Sequence, residues 1–105
     1  MHVCLCRLKE LRDCSIFSYW TDNGACYYYY TGKYGDYEKV LVAVKEDADS
    51  KGLPFRYMQL DSWWYFKGIG GGVKNWTADP KVFPNGIQSV VNKTGWPVVA
   101  HNRFW

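Results

Sequence analysis

The sequence predicts an α/β domain made of two strand–helix units and a third strand, with all three strands parallel. Three observations predict it. Residues 37–48 carry one apolar stripe at helical spacing, with a cap before it and a glycine and a proline after it. Short runs of residues that suit a pleated, buried surface stand before, between and after the two helical patterns, at 16–20, 55–60 and 97–100. Each run passes directly into polar residues, as strands of a parallel sheet do where they present ligand-binding groups.

The chain has 105 residues, enough for one small domain with a core. Six Trp, nine Tyr and five Phe make an aromatic share of 19%, which calls for a large interior or an aromatic binding surface. No apolar run is long enough to span a bilayer. The net charge of +3 comes from Lys and Arg scattered among Asp and Glu. There is no basic stripe of the kind nucleic-acid binding needs. Cys4, Cys6, Cys14 and Cys26 all fall in the first quarter, without zinc-ligand spacing or a paired His nearby. They read as free thiols, or as disulfides of a longer parent protein. No metal and no cofactor are expected. The N-terminal segment has no apolar core of a signal peptide, so none is expected in the chain as written.

Residues 1–15 form a segment of uncertain structure, and the domain is expected over 16–105. Ile16 to Trp20 is the first strand. It runs into Thr21-Asp22-Asn23-Gly24, a polar turn. Tyr27 to Tyr30 either line a pocket mouth or pack as a loop. Thr31 to Gly35 is a turn, and Asp36 is placed to cap a helix that starts at Tyr37. Tyr37, Val40, Leu41, Val44 and Ala48 form its buried stripe. Glu38 suits the positive end of the helix dipole. Gly52 and Pro54 stop the helix.

Phe55 to Leu60 is the second strand, and Asp61-Ser62-Trp63-Trp64 follows at once. A carboxylate at the end of a buried strand, beside indoles, gives a polar ligand a hydrogen-bond acceptor and suits the C–H faces of sugars. The strand–helix–strand order predicts a right-handed crossover. Gly68-Ile69-Gly70-Gly71-Gly72 does not match a phosphate-binding pattern and reads as a flexible loop between a strand and a helix. Asn75-Trp76-Thr77 and Asn92-Lys93-Thr94 are N-glycosylation sequons, which matter if the parent enters the secretory pathway. A second helix is expected from about Gly86 to Lys93, with Ile87, Val90 and Val91 inward. Pro97 to Ala100 is the third strand, ending in His101-Asn102-Arg103.

These residues together resemble the opening of a glycoside hydrolase barrel of the α-galactosidase clan. In that family the second strand ends in D-D-x-W; Asp61 and Trp64 match it, and Ser62 replaces the second Asp. The family continues with D-P-x-x-F-P-x-G and then Ile or Leu. Asp79, Pro80, Phe83, Pro84, Gly86 and Ile87 match throughout. Tyr19-Trp20-Thr21-Asp22 is similar to the Trp-bearing end of the family's first strand. His101-Asn102-Arg103 departs from the usual third-strand ending.

The resemblance covers about residues 16–105 and implies an incomplete TIM-type (β/α)8 barrel, about two βα units plus a third parallel strand. It implies a carbohydrate ligand. Asp61 takes the role of hydrogen-bonding sugar hydroxyls, and Trp64 and Trp20 shape the pocket. Asp22, His101 and Arg103 stand where barrel strand ends collect polar groups. Retaining glycosidases need two carboxyl groups roughly 5 Å apart. In this clan they end the fourth and sixth strands. The chain is therefore expected to be an N-terminal piece of a glycosidase, inactive alone, that associates with the rest of the barrel or with itself. The alternative expectation is a stand-alone carbohydrate-binding or protein-interaction module with an aromatic surface.

Overall fold

The computed structural model describes residues 17–21 and 30–101. The expectations for the N-terminal segment, the four cysteines, tyrosines 27–29, Asp22 and Arg103 lie outside the described residues.

The described chain is mixed α/β. Its elements are β1 (Phe17–Trp20), α1 (Tyr37–Ser50), β2 (Phe55–Leu60), β3 (Tyr65–Lys67), β4 (Val73–Ala78), α2 (Ile87–Thr94) and β5 (Val98–Ala100). Strands β1, β2 and β5 form one sheet in the order β1-β2-β5, and both pairings are parallel. Strands β3 and β4 form a separate antiparallel pair. Among the described residues no helix is long and apolar enough to cross a membrane.

Helix α1 begins where the Asp36 carboxylate accepts the backbone N–H of Lys39 at 2.9 Å. This satisfies one of the donors a helix start leaves open. The helix ends as the spacing predicts: Lys51 caps it, and Gly52 takes a positive φ of 64° before Pro54. Tyr37, Leu41 and Ala48 of the stripe are buried, with Val40 and Val44 packed against them. Helix α2 ends at Gly95, whose φ of 68° is left-handed and whose N–H donates to Val91 O at 2.8 Å.

The sheet register separates two faces. Met58 and Leu60 are fully buried in one core with Leu41 of α1, Val90 of α2 and Trp96. Side chains alternate along a strand, so Gln59 points the other way. Its register partners Trp20 and Val99 share that second face.

One feature differs from the sequence expectation and one adds to it. The segment read as a glycine-rich loop is the turn of the β3–β4 hairpin. Gly70 and Gly71 take φ of 72° and 82°, which lets the chain reverse tightly. Glu38, which the sequence marked only as an acid suited to the helix dipole, is 2% exposed. It reaches across to the segment before α2: the Asn85 backbone N–H donates to Oε1, and the Asn85 side-chain amide donates to Oε2 at 3.0 Å. The Ser89 hydroxyl donates to Oε2 at 3.3 Å. Glu38 thus fastens the two helices together.

The Asp79–Ile87 segment forms a compact turn. Asp79 N–H donates to Trp64 O, and Asp79 O accepts the N–H groups of Val82 and Phe83, each at 2.9 Å. Phe83 stacks on Trp63 with ring centres 5.7 Å apart, and Tyr37 closes on Trp63 at 4.2 Å. Phe83 is therefore a packing residue that seats α2.

Candidate functional site at the strand ends

Parallel strands bring their carboxyl ends to one edge of the sheet, so Thr21, Asp61 and His101 become neighbours. Two backbone bonds carry the pairing one residue past the strands. Thr21 N–H donates to Gln59 O at 3.2 Å, and His101 N–H donates to Leu60 O at 2.9 Å. The three side chains are thus held by the sheet itself and not by mobile loops.

Thr21 is the hub of the local hydrogen bonding. Its hydroxyl accepts the backbone N–H of Asp61 and the indole N–H of Trp63, both at 3.0 Å. It donates to Gln59 O at 3.4 Å. One small side chain satisfies a buried backbone donor and a buried indole at once.

Asp61 is only 5% exposed. Its Oδ1 lies 3.0 Å from Nδ1 of His101, whose side chain is 45% exposed. With the proton on Nδ1, the imidazole donates to the carboxylate and leaves Nε2 as an acceptor. The pair therefore offers a buried carboxylate and a half-exposed imidazole, a set suited to neighbouring hydroxyl groups.

The aromatic wall is built from two chain segments. Trp64 donates its indole N–H to His101 O at 3.0 Å, which ties the wall to the third strand end. Trp64 itself is only 3% exposed. Trp76 of the hairpin covers it edge-on, with ring centres 4.5 Å apart, and also tilts against Tyr65. Trp76 remains 50% exposed. The solvent-open indole of this wall is therefore that of Trp76, which the sequence marked only as the middle of a sequon.

Of the expected site residues, the structure brings Asp61, His101 and Trp64 together. Trp20 ends the neighbouring strand β1, half-buried and in register with Gln59. Thr21 and Trp76 are the residues sequence reasoning missed. The three parallel strand ends present one carboxylate among the described residues, Asp61. No cluster of three or more His, Cys, Asp or Glu side chains able to hold a metal occurs among the described residues. A groove of about 310 Å³ lies elsewhere, lined by Tyr19, Val40, Val44, Leu53 and Phe55 among others, and by none of the strand-end residues.

No protein-family model, curated protein or solved structure matches the chain.

Proposed function

We propose that this chain supplies carbohydrate-binding strand ends of a glycoside hydrolase-like barrel, and that it binds a sugar without hydrolysing it. The observation that carries the reading is the Asp61–His101 pair at the carboxyl ends of two adjacent parallel strands, beside a half-exposed indole. Asp61 accepts hydrogen bonds from sugar hydroxyls, His101 offers a second polar contact, and Trp76 presents an apolar face to the C–H side of the ring. Trp64 acts beneath it as the support of that wall.

Binding, not turnover, is proposed for a chemical reason. Glycoside hydrolysis in this class uses two carboxyl groups across the scissile bond. The motif residues matched here are substrate-binding ones in the family they resemble, and the strand ends described hold a single carboxylate. The barrel reading rests on the parallel β1-β2-β5 sheet with its two helices, together with the Asp61–Trp64 and Asp79–Ile87 motifs.

One observation favours a second reading, a protein-interaction role. Strands β1 and β5 are the edges of the parallel sheet among the described residues, and Val99 is 47% exposed. Unpaired edges are templates for further strands. The two readings separate on titration of the folded chain with galactosides and glucosides. Sugar binding that depends on Asp61 supports the first. A defined oligomer that ignores sugars supports the second.

A further inference from the structure

The β3–β4 hairpin carries a second feature on the side away from the strand-end site. Tyr65 and Trp76 are in ring contact on one face of the hairpin. Alternation along the strands turns Phe66, Asn75 and Thr77 to the other face. Phe66 and Asn75 are register partners. Asn75, Trp76 and Thr77 are all exposed, and they form an N-glycosylation sequon.

We propose that Asn75 is an N-glycan acceptor whose first N-acetylhexosamine rests on Phe66. Three observations carry this. Side chains at i and i+2 of a strand share one face, and here the Thr77 hydroxyl donates to Asn75 Oδ1 at 3.0 Å. Asn75 and Thr77 of the sequon thus lie on one open face of the folded hairpin, where a glycan attached during entry to the lumen is accommodated without disturbing the fold. Phe66, directly opposite, is 37% exposed, a large apolar ring left open beside the acceptor. A shallow hollow of about 410 Å³ lined by Phe66, Lys74 and Asn75 lies between them, with room for a sugar ring.

In the folded chain the surroundings of the other sequon differ. Asn92-Lys93-Thr94 lies in the last turns of α2, where residues two apart do not face each other. The Thr94 hydroxyl is buried, donates to Val90 O at 2.8 Å and accepts the Trp96 N–H at 3.2 Å. Asn92 Oδ1 accepts from the Gln88 side chain at 2.9 Å.

The reaction joins Asn75 Nδ2 to C1 of the first sugar of a polyprenyl-diphosphate-linked oligosaccharide in the secretory lumen. The N–C bond forms, the C1–O bond to the diphosphate breaks, the polyprenyl diphosphate leaves, and the amide nitrogen loses one proton. A glycan placed there projects from the face opposite Trp76, so the strand-end site stays open.

The test expresses the full chain behind a cleavable secretion leader in a eukaryotic cell, in an Asn92→Gln background. An amidase that releases N-glycans is applied to the product. The expected result is one amidase-sensitive mass step, lost in Asn75→Gln and in Thr77→Ala and kept in Thr77→Ser. Because the sugar is attached as the chain enters the lumen, this readout does not require the variants to fold. The seat on Phe66 is read separately: trimming the glycan lowers the melting temperature of the parent chain and leaves that of Phe66→Ala unchanged. No mass step, or a step that survives Asn75→Gln, overturns the acceptor site. An equal drop on trimming in both chains, or no drop in the parent, overturns the seat.

Discussion

The Glu38 carboxylate holds Asn85 by both its backbone N–H and its side-chain amide, across 47 residues of sequence. Lys93 stands 3.8 Å from the same carboxylate, with its own side chain largely in solvent. This one buried acid joins the first turn of α1 to the entry of α2, whose first residues have no side-chain cap of their own. Hydrogen bonds to a charged group contribute about 1.5–3 kcal/mol each, and a stranded buried partner costs more. Glu38→Ala is expected to destabilise the chain by about 3 kcal/mol, read as a lower urea midpoint with an unchanged slope. A midpoint within error of the parent would remove Glu38 from its role as the fastener.

Thr21 supports the candidate site in the same way. Thr21→Val keeps the shape but leaves the Asp61 N–H and the Trp63 indole N–H without their acceptor. Each buried unsatisfied donor costs about 1–3 kcal/mol. Thr21→Val is expected to lose about 2–3 kcal/mol by the same reasoning, while Thr21→Ser retains most of the stability. Equal stabilities for the Val and Ser variants in urea would contradict this.

The elements legible in the sequence are those whose signals are local. Helix α1 is bounded by its own residues, Asp36 in front and Gly52 and Pro54 behind. Strand β2 is marked by Phe55–Leu60 and the abrupt polarity of Asp61. What the sequence hid depends on contacts between distant residues. Five residues with four glycines read as a loop because the pairing of Tyr65–Lys67 with Val73–Ala78 is short and irregular in register. Glu38 resembled any acid at a helix start until Asn85 and Ser89 closed over it. Thr21 looked like one more turn residue, and its value comes from being on the strand beside Asp61. Trp76 carried no sign that it would fold over Trp64.

The cap of α1 gives a pH dependence with a definite sign. The Lys39 ammonium and backbone N–H bonds hold the Asp36 carboxyl below the usual carboxylate range. A lowered native value means stability that is present above about pH 4 and lost as pH falls through the native value. Asp36→Ala is expected to cost about 1 kcal/mol at neutral pH. The gap between parent and variant should close in acid, and thermal melts across that range check it. A gap that persists undiminished below the native carboxyl range would contradict the assignment.

The outer strands of the sheet predict association. Strands β1 and β5 are the outer strands of the parallel sheet among the described residues, and Val99 exposes apolar surface on β5. Size-exclusion chromatography with light scattering is expected to show species larger than one chain, shifted toward the monomer by Val99→Lys. A stable, compact monomer of the parent chain would contradict this.

The most direct test of the account is titration of the folded 105-residue chain with galactosides and glucosides, followed by tryptophan fluorescence and calorimetry, for the parent and for Asp61→Asn. Far-UV circular dichroism of both proteins confirms that they share a fold. The account predicts saturable binding of at least one glycoside by the parent. It predicts a loss of about tenfold or more in Asp61→Asn, the size expected when a charged hydrogen-bond acceptor of about 1.5 kcal/mol or more is removed. A folded parent that binds none of these sugars, or an Asp61→Asn variant that binds them equally well, would contradict the carbohydrate-binding reading.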